Sequence, residues 1–270
     1  MAVLTDAPAR LGIISGTGSY SWPLTEARDR PTTTAYGEVP LTVGRLGDVV
    51  VVHLSRHGAG HQRLSSSVHH KANLAALLDA GVTAVVSLTV CGAVDPALPL
   101  GSLIVFDDLH FPSNRLPDGS LCTWYDEPGD PRRGHWILGD PFSADLRSTL
   151  LDAAADVGLP LADGGCYGHV DGPRFNTRSE IRALAAAGVS AVSQTGGPEA
   201  VLAGEAELPF ALVGFTTDYA NGIAEPEPVS ALLSRLADSS GVFAMLVAAA
   251  AARIGDAKLR PAGVMYRFDA

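Results

Sequence analysis

Short apolar runs that break off into loops of glycine and small polar residues, each followed by a helix-like segment, recur along this chain and restrict its fold more than any other feature. Leu11-Gly-Ile-Ile14 runs into Ser15-Gly-Thr-Gly-Ser19, and Val49 to Leu54 into Ser55-Arg-His-Gly58. Val82 to Val90 ends at Cys91-Gly-Ala93, and Cys166 to Val170 at Asp171-Gly-Pro-Arg-Phe-Asn176. Val189 to Val192 leads to Ser193-Gln-Thr-Gly-Gly197, and Phe210 to Phe215 to Thr216-Thr-Asp-Tyr-Ala-Asn-Gly222. Strands that are apolar throughout are buried on both faces, so the pattern predicts an α/β fold with a twisted, mostly parallel or mixed central sheet flanked by helices.

The intervening helices have recognisable ends. Periodic leucines predict a helix from His69 to Ala80, stopped by Gly81. Another spans about Ala144 to Val157. Thr177-x-x-Glu180 is a capping box opening an Ala-rich helix, Ser179 to Ala187. Pro198 suits the first position of a helix reaching Glu207, and a terminal helix covers roughly Val229 to Ile254. Leu103 to Phe106 reads as a further strand. The Pro-, Gly- and Asp-rich stretch Phe111 to Pro141 reads as a long excursion with a functional or interfacial role. No composition shift, repeat or linker divides the chain, so residues 1–270 are read as a single domain.

Composition narrows the function. The chain is 47% hydrophobic and 18% charged, which excludes intrinsic disorder. A formal net charge of −10 argues against coating nucleic acid or an anionic membrane, and a small anion would need a locally positive pocket. Three cysteines without a C-x-x-C pair suggest neither a disulfide framework nor a zinc ribbon and fit a reducing cytoplasm. The N-terminus lacks the pattern of a signal peptide, and the apolar run Val242 to Ala252 is too short to span a bilayer.

In open α/β sheets, ligands gather at the carboxyl ends of strands. Here those ends carry donors suited to one phosphate-sized anion. Ser15-Gly-Thr-Gly18 exposes backbone N–H groups and the Thr17 hydroxyl, Arg56 and His57 supply a cation beside a titratable donor, and Thr89 adds a hydroxyl. Thr195-Gly-Gly197 precedes a helix whose dipole favours an anion. Gly-Thr-Gly alone serves a tight turn equally well. It is not a dinucleotide fingerprint, because the residue three after Gly18 is Ser21 rather than glycine, and no Gly-Lys-Ser/Thr is present. That failed spacing weakens a nicotinamide dehydrogenase reading. His53, His57, His61, His69 and His70 cluster, yet without H-E-x-x-H or a carboxylate at ligand spacing they read as a phosphate donor and packing residues, not a metal site. Phe175 offers a flat face to a planar ligand. Asp218, against apolar walls, is either a proton donor or the cap of a turn.

The set Gly16-Thr17-Gly18, Arg56-His57-Gly58, Thr89 before Cys91-Gly92, Gly172-Pro173-Arg174-Phe175, Thr195 before Pro198-Glu199, and Thr217-Asp218-Tyr219 resembles, in order and spacing, the methylthioadenosine phosphorylase branch of the trimeric purine nucleoside phosphorylases. The resemblance implies a partly barrel-like sheet, a homotrimer, and phosphate-dependent cleavage of a purine nucleoside with no metal or organic cofactor. It implies a phosphate site of Thr17, Arg56, His57, Thr89 and Thr195, with Phe175 against the purine and Asp218 at N7. Two departures accompany it. Gln194 stands where the branch has methionine under the ribose, and Asp218-Tyr219-Ala220 replaces Asp-Tyr-Asp, removing a carboxylate expected to read a 6-amino group. The alternatives are therefore a phosphorylase for an inosine-like or sugar-modified nucleoside, or a nucleoside-binding relative without turnover.

Overall fold

The computed structural model describes residues 9–268. The start of the N-terminal segment read above for a signal peptide, residues 1–8, lies outside them. In chain order the elements are β1 (Arg10–Ser15), β2 (Thr25–Thr34), β3 (Gly37–Leu46), β4 (Val49–Ser55), α1 (His70–Asp79), β5 (Ala84–Ala93), β6 (Leu103–Val105), β7 (Asp108–His110) and β8 (Gly134–Ile137). They continue with α2 (Ala144–Asp156), β9 (Leu161–Asp163), β10 (Cys166–His169), α3 (Arg178–Ala186), β11 (Val189–Ser193), α4 (Gly196–Glu205), β12 (Phe210–Tyr219), α5 (Val229–Asp256) and β13 (Val264–Arg267).

Eleven strands form one mixed sheet that forks at β5, which pairs with β1, β12 and β11. The parallel group β4, β1, β5, β12 and the parallel group β7, β10, β11 meet antiparallel over only two residue pairs, Ala191 with Ala93 and Val192 with Gly92. Those residues lie at the carboxyl ends of both β5 and β11. Two sets of strand ends therefore face one another across the fork, which is where an α/β sheet gathers its ligand.

Alternation along β1 shows how the core is divided. Leu11 and Ile13 join a cluster with α2 and α5, including Leu146, Phe243 and Leu246, whereas Ile14 joins α1 and α4 through Leu74, Leu77 and Leu202. Both faces are thus covered, as the apolar runs require. The capping box of α3 is present, with the Thr177 side chain accepting from Glu180 N and the Glu180 carboxylate accepting from Thr177 N.

Several expectations are corrected. Helix α4 begins at Gly196, so Pro198 is its third residue; a proline fits there because the first-turn N–H groups have no partner within the helix. Strand β12 continues past Phe215 to Tyr219, placing Asp218 in the strand rather than in a following loop. The sheet is of the mixed kind that the strand pattern allowed, with antiparallel β11·β5, β12·β6, β2·β3 and β3·β4 pairs beside the parallel ones. The hairpin β2–β3 was not legible because β2 is mostly exposed and has no apolar alternation. The 111–141 excursion lies over α4: Trp124 Nε1 donates to Leu202 O at 2.7 Å, and β8 within it pairs with β13. Helix α5 has 28 residues, about 42 Å at 1.5 Å rise, so it is long enough to cross a bilayer, unlike the shorter run read from sequence. Its apolar face has another use: Phe243, Leu246, Val247, Ala250 and Ile254 are buried in the core.

Candidate active site

One cavity of about 300 Å³ opens at the fork, and all eight residues singled out from sequence line it: Thr17, Arg56, His57, Thr89, Phe175, Gln194, Thr195 and Asp218. Three hydroxyls mark one part of its wall. Thr195 occupies the N-cap position of α4, where a threonine ordinarily accepts a bond from its own helix, yet its side chain makes no capping bond. Thr89 Oγ1 lies 3.1 Å from Ser193 Oγ, another residue of the wall.

The positive charge expected there is arranged differently. Arg56 is only 2% exposed and its guanidinium is committed to the protein. Nε donates to Glu199 Oε1 at 2.7 Å and Nη2 to Glu199 Oε2 at 2.8 Å; Nη2 also donates to Ser87 Oγ at 2.6 Å, and Nη1 to Leu88 O at 2.7 Å. Four of the five guanidinium N–H groups are thereby used, and the charge is neutralised by a buried carboxylate. Burial pushes the Glu199 carboxyl up, but Arg56 and the bonds from Arg56 and Ser87 outweigh it and hold the group below the usual carboxylate range.

His57, read as a titratable donor, adds no charge either. Burial, followed by the neighbouring Arg56, lowers its pKa to about 4, so the ring is neutral near pH 7. Nδ1 lies 2.8 Å from Arg63 O and must carry the proton to donate there, which leaves a lone pair on Nε2. The ring stacks on His61 at 4.2 Å between centroids. The amides at the start of α4 are also spoken for: Gly196 N donates to the buried Tyr167 hydroxyl at 3.0 Å and Thr195 N at 3.4 Å. The anion-type wall is therefore built of hydroxyls, one remaining Arg56 N–H and a neutral imidazole, rather than of free charge.

Asp218 reaches the cavity through an irregularity. Strand β12 pairs with β5 residue for residue as far as Thr216 with Cys91, then slips so that Asp218 faces Gly92. The extra residue, Thr217, breaks the alternation, and both Thr217 and Asp218 line the cavity. Burial raises the Asp218 pKa against the opposing hydrogen bond from Thr217 and the Arg235 charge. Ala220 stands beside it on the same wall, both lying 3.6 Å from where a Cβ on Gly92 would be.

Gln194 and Phe175 belong to one loop system. Gln194 Oε1 accepts from Ser65 Oγ at 2.7 Å and its Nε2 donates to Arg174 O at 3.0 Å, so the amide braces the 171–176 loop instead of standing free under a ligand. Phe175, on that loop, is 65% exposed at the cavity edge. Among the described residues there is no cluster of three or more His, Cys, Asp or Glu side chains able to hold a metal ion. The sequence reading gave no role to Ser87, Ser193, Tyr167 and Ser65, nor to Glu199, although Glu199 stood in the Pro198-Glu199 motif. The one available signal was Glu199, a lone acid in the small and apolar segment Gly196 to Ala203.

The chain is 36% identical over 251 residues to S-methyl-5'-thioadenosine phosphorylase of Mycobacterium tuberculosis, covering 91% of this chain and 90% of that one. It is 34% identical over 218 residues to 6-oxopurine nucleoside phosphorylase of Pyrococcus furiosus, covering 79% and 81%. The solved methylthioadenosine phosphorylase of Schistosoma mansoni superposes with a TM-score of 0.83 at 29% identity, covering 93% of each chain. The model of the phosphorylase superfamily matches residues 10–256, and the chain belongs to that family.

Proposed function

We propose that this protein is a purine nucleoside phosphorylase of the methylthioadenosine type, cleaving the N-glycosidic bond with inorganic phosphate to give free purine and a ribose 1-phosphate, without metal or organic cofactor. The observation that carries this reading is the cavity that brings the hydroxyls of Thr17, Thr89 and Thr195 together with a half-buried carboxyl whose pKa burial raises. Leu88, which anchors Arg56, and Gly92, which faces Asp218, are four residues apart on β5, about 13 Å at ~3.3 Å per residue. That span accommodates phosphate, pentose and base in line.

Phosphate lies against Thr17, Thr89, Thr195, Arg56 and His57, and the purine lies between Phe175 and Asp218. A phosphate oxygen bonds to C1′ as the C1′–N9 bond breaks, its electron pair passing to the base. Asp218 gives its proton to N7, so the leaving group departs neutral, a contribution of roughly 10²–10⁴-fold. Hydroxyl donors and the Arg56 N–H hold the anion below an oxocarbenium-like sugar. The neutral His57 Nε2 accepts the phosphate hydroxyl, so monohydrogen phosphate is the reacting species. The net change is one proton from phosphate to base: the phosphate hydroxyl proton passes to water as the ribose 1-phosphate dianion forms, and water returns a proton to Asp218.

Leu64, Leu232 and Leu236 in the cavity wall support an apolar 5′-substituent such as methylthio. A second reading, a 6-oxopurine substrate, is favoured by Ala220, which puts a methyl group beside Asp218 where an acceptor for a 6-amino group would be needed. The exposure of Phe175 supports a homotrimer in which a neighbouring copy covers the site. The free cysteines Cys91, Cys122 and Cys166 support a reducing cytoplasm, and a role in purine salvage accords with the products. A panel of 5′-methylthio and 5′-hydroxy nucleosides of adenine and hypoxanthine, incubated with and without inorganic phosphate, tests the assignment. Free base released only with phosphate supports it, release without phosphate indicates a hydrolase, and binding without release indicates a non-catalytic relative.

A further inference from the structure

We propose that Glu199 is a positioning residue of the phosphate site, fixing which N–H Arg56 presents and how much of its charge reaches the anion; this rests on the phosphorylase reading above. The carboxylate takes Nε and Nη2 of Arg56 in a two-pronged bond, and Ser87 Oγ closes a triangle by accepting from Nη2 and donating to Glu199 Oε2 at 2.6 Å. Both side chains of the ion pair are 1% exposed. A planar guanidinium held along one edge by a fork has no rotational freedom left. Its fifth N–H, on Nη1, is the one the protein does not use, and Nη1 is the atom a Cβ on Gly16 would approach to 2.6 Å. Nη1, which carries the free hydrogen, therefore edges the Gly16-Thr17-Gly18 loop, and both Arg56 and Thr17 line the cavity.

Neutralisation sets the charge. Without Glu199 the buried guanidinium carries its full charge but loses the orientation that aims Nη1, and the lost placement outweighs the added charge. Paired with Glu199, it presents a dipole whose positive end is Nη1. His70 does not compete for the carboxylate: its wholly buried ring lies 4.0 Å from Glu199 Oε1, and neither of its nitrogens has a hydrogen-bond partner. The bland alternative is an ion pair that only holds α4 to the end of β4. A purely structural pair would disturb phosphate and nucleoside binding alike, whereas a positioning residue acts on phosphate and only through Arg56.

The test compares Glu199→Gln, Glu199→Asp and Ser87→Ala, with steady-state kinetics in varied phosphate and calorimetric titration of inorganic phosphate, which needs no turnover. Glu199→Gln should raise the phosphate KM and Kd about tenfold or more while the nucleoside KM stays within about twofold. Glu199→Asp should recover part of the loss, and Ser87→Ala should show a rise of about threefold. In an Arg56→Met background, Glu199→Gln should change the phosphate Kd by less than about twofold. Equal shifts in both KM values, or an effect that persists without Arg56, would overturn the proposal. If circular dichroism shows Glu199→Gln unfolded, Ser87→Ala and the Arg56→Met/Glu199→Gln pair decide it, and an unchanged phosphate Kd in Ser87→Ala overturns it. Wild-type protein lacking phosphate-dependent turnover would defeat the phosphorylase reading, while the calorimetric comparison would still judge Glu199.

Discussion

Thr217 Oγ1 donates to Asp218 Oδ1 at 2.7 Å, which leaves Oδ2 as the oxygen on the Gly92 side of the cavity. The bulge at Thr217 makes this possible by turning two consecutive side chains to the same face. An acid placed in this way works only while protonated. Burial raises its pKa, so the active fraction falls as pH rises through that raised value.

Asp218→Asn keeps the shape and the bond from Thr217 but holds no transferable proton. Turnover should fall by about 10²–10³-fold with the phosphate KM unchanged, and the descending alkaline limb of the wild-type kcat profile should disappear. Steady-state rates from pH 5 to 9 measure both. Turnover within a fewfold of wild type would remove Asp218 from the role of acid.

Gly16→Ala probes the position of Arg56 without touching its charge. The new methyl carbon would lie 2.6 Å from Arg56 Nη1 and 3.5 Å from Leu88 O, and Arg56 is clamped by Glu199 and Ser87, so the loop must yield. Overpacking of this kind costs about 1–3 kcal/mol, equivalent to roughly a tenfold or greater rise in phosphate KM if the strain falls on the bound state. Phosphate titration of the variant is the measurement. An unchanged phosphate KM would place the anion away from this loop.

The buried histidines predict an acid-sensitive fold. Burial lowers His53, His57 and His70 to about 4 and His169 to about 3, while in the unfolded chain each titrates near its ordinary value of about 6.5. Between these values the unfolded state binds more protons. Each histidine therefore contributes its full stability above about pH 6.5, lost as pH falls toward 4 at about 1.4 kcal/mol per pH unit. The urea midpoint should drop steeply below pH 6.5. His169→Phe, beside the Phe111 ring at 4.4 Å, should reduce that slope by about one proton. A midpoint that stays flat from pH 7 to 5 would refute this account.

What was legible in the sequence was whatever depends on local pattern. The runs that became β1, β4, β5 and β12 are apolar because both faces are covered, and the α3 capping box is a contact between Thr177 and Glu180, three residues apart. The cavity was legible because each strand end carries its own functional group. Its charge state was not. Arg56 looked like a free cation because its partner, Glu199, lies 143 residues away, and His57 looked like a donor because its bond to Arg63 O depends on a loop conformation. Strands β8 and β13 escaped notice because each is four residues long, and their pairing joins residues more than a hundred positions apart.

Gln194 links two loops that would otherwise be independent, the segment before α1 through Ser65 and the 171–176 loop through Arg174 O. The contact is tight: a Cβ on Gly172 would lie 2.1 Å from both Gln194 Oε1 and Ser65 Oγ. Phe175 has little packing of its own to hold it, so its place against a purine depends on this brace. Gln194→Met removes both hydrogen bonds, each contributing about 0.5–1.5 kcal/mol, and substitutes an apolar chain of similar length. The 171–176 loop should exchange amide hydrogen faster, and the nucleoside KM should rise about tenfold while the phosphate KM holds. Hydrogen exchange by mass spectrometry, together with the two KM values, measures this. A variant with unchanged exchange and a lower nucleoside KM would mean that the amide obstructs the sugar rather than holding the loop.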